Sequence, residues 1–472
     1  MSPAKGGKWR VGNGEQKWVP GGGGSLPGSL LGENEGGIRG GVMNFARSRF
    51  GWLDRWDVVL AVIALAGCLL MIGLFPRNPV ANDGAEYDAM ARNILAGHGY
   101  SLDGVSPDAR RPPGYTLFVA FVYFFVGPRP LAVVALQVLL TMATPVVFRR
   151  VLTGIGLDHR HALVGSVACV LYIFPYIYVQ QLITEPLTTF LVVVGAAVAT
   201  RTWTIGFSAP GQAFLAGMLC ALPALVKSQH ATLAGSFALF GVWTLVRQRS
   251  GRPRAMLGVA AFLLGVFLMI APWGARNLVQ FGSPHLLGKG MPGQGLLYAQ
   301  FEARGRWLLW TFWKEEYSGS LPTWKEYDEK RRAAYEAGSK AGMDPDEIKM
   351  ALALREIRDN PLEALRAYVV RAYSLWIMIP TSKSETVRMV SVLVEIAILL
   401  AALTGLWLHR HLFKPRGFPL ALFIGSQAVL LPIITIEARY GVSLKPFLLA
   451  GVGMLGLLAW DRFHRRSVGL GS

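Results

Sequence analysis

The chain has 472 residues, of which 52% are hydrophobic and only 16% are charged, whereas soluble domains usually carry about 25% charged residues. A formal net charge of +18 would by itself suggest a nucleic-acid partner, but nucleic-acid-binding domains do not need long apolar segments. The composition therefore excludes an ordinary soluble protein and predicts an all-α polytopic membrane protein.

Residues 1–50 are Gly-rich and basic and show no apolar periodicity, which predicts a disordered cytoplasmic tail. The first apolar run begins late and no small-residue cleavage site follows it, which does not fit a signal peptide. Met43 is an alternative start that the sequence leaves open. The cysteines all lie inside apolar runs, and their spacing indicates neither disulfides nor a metal site.

Ten apolar runs approach the 17–25 residues that a bilayer-spanning helix needs. They are 57–75, 131–148, 161–178, 186–202, 212–226, 231–246, 255–273, 387–408, 418–436 and 442–460. A further run, 113–126, is too short to span and predicts a helix at the membrane interface.

The short basic clusters all fall in the connections on one side of this arrangement, such as Arg149-Arg150 and Arg247–Arg254. By the positive-inside rule that side is cytoplasmic, with both termini. Most of the positive charge is thus explained by the membrane topology, and a nucleic-acid partner is no longer expected. The predicted organisation is a tail (1–50), a transmembrane module (51–273) with an outer loop (76–130), a non-cytoplasmic helical loop region (274–386), and C-terminal helices with a short cytoplasmic tail (387–472).

The two outward segments contain helical patterns near 86–95, 322–341, 344–358 and 361–378. Polar residues at the ends of the predicted spans share this outer face. They are Asp83, Glu86, Tyr87, Arg111, Glu185, Lys227, His230, Arg276, Asn277, Arg439 and Tyr440. Several cations beside carboxylates suit an anionic, phosphate-bearing ligand and an acid/base step.

Each of these residues also has an ordinary explanation. Arg111 and Arg276 can snorkel toward headgroups, Lys227 and His230 can anchor an interface, and Glu185 can be an N-terminal helix acid. Asp83 can be a solvated loop residue, where an Asp is common. Glu395 lies inside the eighth run, where a charge is costly, and the sequence assigns it no role.

The first outer loop carries a recognisable pattern: Asp83-Gly84-Ala85-Glu86-Tyr87, Ala91–Leu95 with Gly97–Tyr100, and Arg111–Tyr115. It resembles the first loop of GT-C glycosyltransferases, closest to family 39, the dolichyl-phosphate-mannose–protein mannosyltransferase and bacterial lipid A aminoarabinose transferase type. Weaker matches follow in the expected order, at Thr184–Pro186, Ala271–Asn277 and Ala438–Tyr440. The departure is a lone Asp83 where many members have adjacent acids.

The resemblance implies a GT-C-like bundle, with about ten transmembrane helices here, and with interfacial helices in the first outer loop. It implies transfer of a sugar from a polyprenyl-phosphate-linked donor on the non-cytoplasmic face, to a lipid, glycan or protein acceptor. We assign Asp83 as the general base and Glu185 as a second acid, and the other nine outer-face residues to substrate binding. The activity would be that of a hexosyl- or pentosyltransferase, with inversion, in the lipid bilayer of a bacterial inner membrane facing the periplasm.

Other classes remain open on the sequence. A transporter or flippase of a lipid-linked anion would favour charges at mid-bilayer and internal repeats, and a structural membrane protein would not depend on Asp83 or Arg439. No cofactor is certain, and a divalent metal ion is left open. The sequence names neither the sugar, the acceptor nor the oligomeric state.

Overall fold

The computed structural model describes residues 8–12, 15–19, 54–204, 207, 209–247, 252–286, 288, 291–302, 322–377, 384–413, 416–434 and 438–469. The chain divides into two units, Met1–Asp54 and Arg55–Ser472. The predicted domain boundaries, at residues 50, 273 and 386, stay predictions.

The first unit contains an antiparallel pair of strands, β1 (Lys8–Gly12) and β2 (Glu15–Val19), in which Trp9 is paired with Trp18. This hairpin departs from the prediction that residues 1–50 have no structure of their own. Asn-Gly is the turn dipeptide that hairpins prefer, and Asn13-Gly14 separates the two strands in the sequence. The Gly-rich composition concealed that short-range signal.

The second unit is built from α-helices joined by short 3₁₀ helices. From its start to residue 281 the α-helices are α1 (Arg55–Leu74), α2 (Asp83–Leu95), α3 (Gly114–Val126), α4 (Pro130–Gly154), α5 (His159–Leu171), α6 (Thr184–Thr204), α7 (Pro210–Val226), α8 (Ala231–Arg247) and α9 (Arg252–Phe281). They continue with α10 (Met291–Glu302), α11 (Pro322–Lys340), α12 (Pro345–Asp359), α13 (Pro361–Ser374), α14 (Glu385–Leu408), α15 (Phe418–Ile434) and α16 (Lys445–Gly469). The 3₁₀ helices are Phe174–Gln180, Ser228–His230, Arg410–Phe413 and Ala438–Leu444.

Among the described residues, six helices are long and apolar enough to cross a membrane: α1, α4, α6, α9, α14 and α16. A seventh is added if α5 and the 3₁₀ helix Phe174–Gln180, which are bent by 57°, count as one span. Helices lie at all ten predicted positions, where about ten spans were expected. Helices α7, α8 and α15 have 17 residues each, which is the lower limit for a bilayer-spanning helix.

The bundle buries a hydrophobic core and exposes other large apolar side chains on its outer surface. The core includes Phe148, Phe237, Phe262, Phe423 and Phe447, which come from five different helices. Large apolar side chains on the spans remain exposed, as at Leu69, Leu139, Phe267 and Leu400. An apolar outer surface is stable only in a lipid environment, so the chain is an integral multi-pass membrane protein.

Helices α2 and α3 of the first outer loop pack on the bundle through buried tyrosines. The Tyr87 and Tyr115 rings meet edge to face with their centroids 4.6 Å apart, and the Tyr115 hydroxyl donates to Gln137 Oε1 of α4 at 2.6 Å. On its other side α3 exposes Leu117, Phe121, Phe124 and Phe125, as an interfacial helix should. This packing fixes the start of α2 at one end of the bundle.

Candidate functional site

Asp83 is the first residue of α2, and the backbone before it is unusual. Asn82 has a positive φ of 53°, which Asn tolerates better than most residues. At Gly84 a Cβ atom would lie 2.5 Å from the carbonyl oxygen of Pro79, so only glycine permits this tight entry into the helix. The sequence Asn-Asp-Gly thus sets the Asp83 carboxylate at a sharply turned helix start.

The Asp83 carboxylate is shared by two arginines from distant parts of the chain. Its Oδ1 lies 3.0 Å from Nη2 of Arg111, which precedes α3, and its Oδ2 lies 2.8 Å from Nη1 of Arg439, in the 3₁₀ helix Ala438–Leu444. The three side chains are each about one quarter exposed. A ligand can therefore reach the two cations and the carboxylate between them.

Arg111 is held by two further residues of α2. Its Nε donates to Glu86 Oε2 at 2.9 Å and its Nη1 donates to the Tyr87 hydroxyl at 3.3 Å. Glu86 and Tyr87 lie one turn along from Asp83, on the same face of the helix. Burial raises the pKa of Tyr87 to about 12, so its phenol stays protonated at neutral pH.

A second, more deeply buried pair joins the ends of α6 and α7. Glu185 Oε1 lies 2.7 Å from Lys227 Nζ, and only 2% of the Glu185 side chain is exposed. The same ammonium lies 4.1 Å from the centre of the Tyr440 ring, within range of a cation–π interaction. Tyr440 follows Arg439 directly, so this pair adjoins the exposed cluster.

The charge of Arg439 couples the two pairs, because it acts on both Asp83 and Glu185. Burial alone would raise the pKa of the Asp83 carboxyl, but the charges and hydrogen bonds of Arg439 and Arg111 outweigh burial and hold this pKa below its usual range. Asp83 is therefore ionised at neutral pH, and its two oxygens are engaged by cations. We call Asp83, Glu86, Tyr87, Arg111, Glu185, Lys227, Arg439 and Tyr440 the outer cluster.

His230 lies next to the outer cluster but is fully buried. Its Nε2 lies 3.2 Å from the Ser443 hydroxyl. Burial, together with the charge of Lys227, lowers the pKa of His230 to about 3. The imidazole is therefore neutral and braces the 3₁₀ helix Ala438–Leu444 instead of presenting a positive charge to a ligand.

Arg276 and Asn277, near the end of α9, bind a different part of the first outer loop. Arg276 donates to the carbonyl oxygens of Asp108 at 2.6 Å and Tyr100 at 3.2 Å, and to the Asn277 side chain at 2.8 Å. These bonds hold the loop that leads to Arg111. In this structure the two residues support the outer cluster and are not brought into it.

Sequence reasoning missed Gln229, whose side-chain amide donates to the Tyr440 carbonyl oxygen at 3.1 Å. Gln427 of α15 in turn donates to the Gln229 carbonyl oxygen at 2.7 Å. The available signal was the position of Gln229 between Lys227 and His230, two residues that were already singled out. A neutral amide does not contribute to the pattern of charges on which the site was predicted.

The carboxylates of the outer cluster do not fit a divalent cation in this arrangement. Asp83, Glu86 and Glu185 are each engaged by arginine or lysine. Within the described part of the chain, no three His, Cys, Asp or Glu side chains come together as metal ligands. The divalent metal ion left open by the sequence stays a prediction.

Comparison with known proteins supports the fold. No protein-family model and no curated protein matches the chain. Its structure is similar to the oligosaccharyltransferase of Archaeoglobus fulgidus, solved with a tethered acceptor peptide containing an NVT sequon, with a TM-score of 0.50 at 11% identity. The similarity covers 88% of this chain and 51% of the other, so the chain spans about half the length of that protein.

A weaker similarity is to ArnT of Cupriavidus metallidurans bound to undecaprenyl phosphate, with a TM-score of 0.33 at 16% identity over 85% of this chain and 77% of the other. That score is too low to carry an argument. The first similarity supports the predicted fold class, an all-α polytopic membrane bundle. At such low identity it shows the fold alone.

The 3₁₀ helix that carries Arg439 should not tolerate a side chain at Gly441. A Cβ atom there would lie 2.3 Å from the Leu375 carbonyl oxygen, so Gly441→Ala must push the 3₁₀ helix away from the end of α13. We expect a loss of about 1–3 kcal/mol of stability from overpacking, seen as a lower melting temperature in detergent. Gly425→Ala on α15, where a Cβ atom meets nothing within 4 Å, is the control and should melt like the wild type.

Proposed function

We propose that the chain is a membrane glycosyltransferase that moves a sugar from a polyprenyl-phosphate-linked donor to an acceptor hydroxyl. The observation that supports this most is the position of the Asp83 carboxylate between Arg111 and Arg439 at 3.0 and 2.8 Å. Two guanidinium groups beside a carboxylate supply a phosphate site and a base in one place. The GT-C-like fold supports a sugar linked to a lipid phosphate as the ligand.

Ligand binding and base activation are coupled in this geometry. In the ligand-free cluster Asp83 is a weak base, because its oxygens are bound by arginines. A donor phosphate competes for Arg111 and Arg439, and each hydrogen bond that they transfer to the phosphate frees a lone pair on Asp83. The Asp83 pKa then rises toward the range in which a carboxylate accepts a proton effectively.

In the transfer step the acceptor hydroxyl gives its proton to Asp83 while its oxygen bonds to the anomeric carbon. The bond from that carbon to the phosphate oxygen breaks, and the lipid phosphate leaves with the electron pair. The phosphate gains negative charge as it leaves, and the arginines stabilise it. Attack opposite the leaving group inverts the configuration at the anomeric carbon.

Glu185 and Lys227 serve this step from behind the exposed cluster. Their buried pair holds the Tyr440 ring over Lys227 and so fixes the residue next to Arg439. We assign Glu185 the role of a second acid, which orients the acceptor and the neighbouring cations. Glu86 and Tyr87 keep Arg111 in place for the phosphate.

The face on which the reaction takes place is part of the proposal. By the distribution of basic loops, the outer cluster lies on the periplasmic side of a bacterial inner membrane, with both termini in the cytoplasm. The long apolar chain of the donor would stay in the bilayer, because moving it into water is costly. Only its phosphate and sugar would enter the cluster.

The pH dependence of transfer should report on Arg111. A general base works ionised, so activity falls as the pH drops through its pKa, and the lowered pKa of Asp83 preserves activity at mildly acidic pH. Burial raises the Asp83 pKa, and the two arginines lower it. Arg111→Met removes one of these two cations, so the Asp83 pKa rises. We expect the acid limb of the kcat/KM–pH profile to move to higher pH. Arg110→Met, which breaks a pair with Asp108, should leave the acid limb in place.

A detergent assay separates transfer from transport. Purified protein in micelles, given a radiolabelled polyprenyl-phosphate sugar and a mixture of lipid, glycan and peptide acceptors, should move label from the donor to an acceptor. A transporter or flippase has no compartments to work between in micelles and would leave the donor intact. An unchanged donor in micelles, with the same donor crossing the bilayer in proteoliposomes, would replace our proposal by the transporter alternative.

A further inference from the structure

Lys445 and Glu395 form another buried ion pair, which is not part of the outer cluster. Lys445 Nζ lies 2.8 Å from Glu395 Oε2, and the exposed fractions of the two side chains are 4% and 0%. The Tyr172 hydroxyl donates to the other Glu395 oxygen at 2.7 Å, and Lys445 also donates to the Trp376 carbonyl oxygen at 2.5 Å. Residues from four separate segments thus meet at one ammonium group.

The location of Lys445 connects this pair to Arg439. Lys445 is the first residue of α16, and the 3₁₀ helix Ala438–Leu444 ends directly before it. A 3₁₀ helix rises about 2 Å per residue, so Arg439 is on the order of 12 Å along the backbone from Lys445. The bonds of Lys445 therefore fix the end of the element whose beginning reaches Asp83.

The pair also borders the buried half of the outer cluster. A cavity of about 50 Å³ has Glu185, Tyr172 and Lys445 among its mostly apolar lining residues. Lys445 therefore follows directly on the 3₁₀ helix that carries Arg439 and lines the same cavity as Glu185.

Burial of two charges is costly, and stability alone does not explain this pair. Replacing a buried pair by uncharged groups of similar volume is often neutral for stability, whereas removing one partner is strongly destabilising. A buried ion pair in a membrane-spanning region is therefore better explained by a role in positioning the backbone around it. We propose that Lys445 and Glu395 are positioning residues that hold the 3₁₀ helix Ala438–Leu444 so that Arg439 reaches Asp83.

The first test reads the position of that element without any activity. Amide hydrogen exchange of the peptide covering residues 438–444 is compared between wild type and the double variant Lys445→Met/Glu395→Gln, which leaves no unpaired charge. We expect exchange at least tenfold faster in the variant. The control replaces another buried acid together with both arginines that bind it, Asp57→Asn/Arg149→Met/Arg150→Met between α1 and α4, and should leave this peptide unchanged. Unchanged exchange in the Lys445/Glu395 variant would overturn the positioning role.

The second test rests on the proposed transferase activity and asks whether the pair acts through Arg439. The double variant should lower kcat/KM for the lipid-linked donor at least tenfold in a wild-type background, and by less than twofold where Arg439 is already Met. A loss of equal size in both backgrounds would mean general destabilisation and would contradict the proposal. If the double variant does not fold, Glu395→Gln alone is compared in the same two backgrounds. Absence of transfer by the wild type would refute the proposed function, and hydrogen exchange would still decide the positioning role.

Discussion

Replacing Asp83 by Asn is expected to lower the turnover of sugar transfer by about 10²–10⁴-fold, the usual contribution of a general base. The amide has the shape of the carboxylate but cannot take the proton of the acceptor hydroxyl. It also releases Arg111 and Arg439, which no longer share their hydrogen bonds with a carboxylate. The KM for the donor should therefore stay level or fall while kcat collapses, as measured by initial rates in detergent.

The matched control is Asp88→Asn on the same helix. Asp88 also pairs with an arginine, because its Oδ2 lies 2.7 Å from Nε of Arg92, but Arg92 is not part of the outer cluster. This variant should keep turnover within about twofold of wild type, since exposed pairs contribute little. An Asp83→Asn enzyme that retained more than a tenth of wild-type turnover would remove Asp83 as the base.

Replacing Arg439 by Met should cost about 10²-fold in kcat/KM for the lipid-linked donor. That factor corresponds to about 2.7 kcal/mol, within the range for removing one partner of a hydrogen-bonded charge pair. The loss would have two sources, because in the proposed mechanism Arg439 binds the donor phosphate and stabilises its growing charge during transfer. Both a higher donor KM and a lower kcat are therefore expected.

Arg439→Lys tests the shape of that contact. Lysine keeps the charge but not the planar fork that matches a phosphate, so this variant should fall between wild type and Arg439→Met. Arg92→Met, which removes an exposed arginine from α2, should behave like wild type. Equal activity of Arg439→Met and wild type would show that the arginine is structural and that the phosphate binds elsewhere.

The fold class could be predicted from the sequence because bilayer thickness and backbone hydrogen bonding leave few choices for long apolar runs. Helical patterns also predicted α11, α12 and α13 and most of α2, whose start lies at Asp83 and not at residue 86, whereas α10 (Met291–Glu302) was not predicted. The exact number of spans is harder to predict, because the 17-residue helices α7, α8 and α15 lie at the lower limit of a spanning length. The hairpin at Lys8–Val19 was hidden by its Gly-rich context.

The site was predictable as a set of residues but not as a network. Span ends on one side of a bundle necessarily share a face, which is why Asp83, Glu185 and Arg439 could be grouped. Which cation pairs with which acid depends on tertiary packing, and Asp83 and Arg439 are 356 positions apart. For the same reason the sequence assigns Glu395 no role, since its partner Lys445 is 50 positions away, and the complete burial of His230 cannot be predicted from the sequence.

The central claim is that a sugar leaves a lipid phosphate at the outer cluster and joins an acceptor hydroxyl. The most direct measurement follows both products of the purified wild-type protein in detergent, by quantifying the polyprenyl phosphate released and the sugar gained by the acceptor. We predict one polyprenyl phosphate for each sugar transferred, and a yield of both products that is about 10²–10⁴-fold lower with Asp83→Asn. Release of lipid phosphate without a glycosylated acceptor, or equal yields from Asp83→Asn and wild type, would contradict the account.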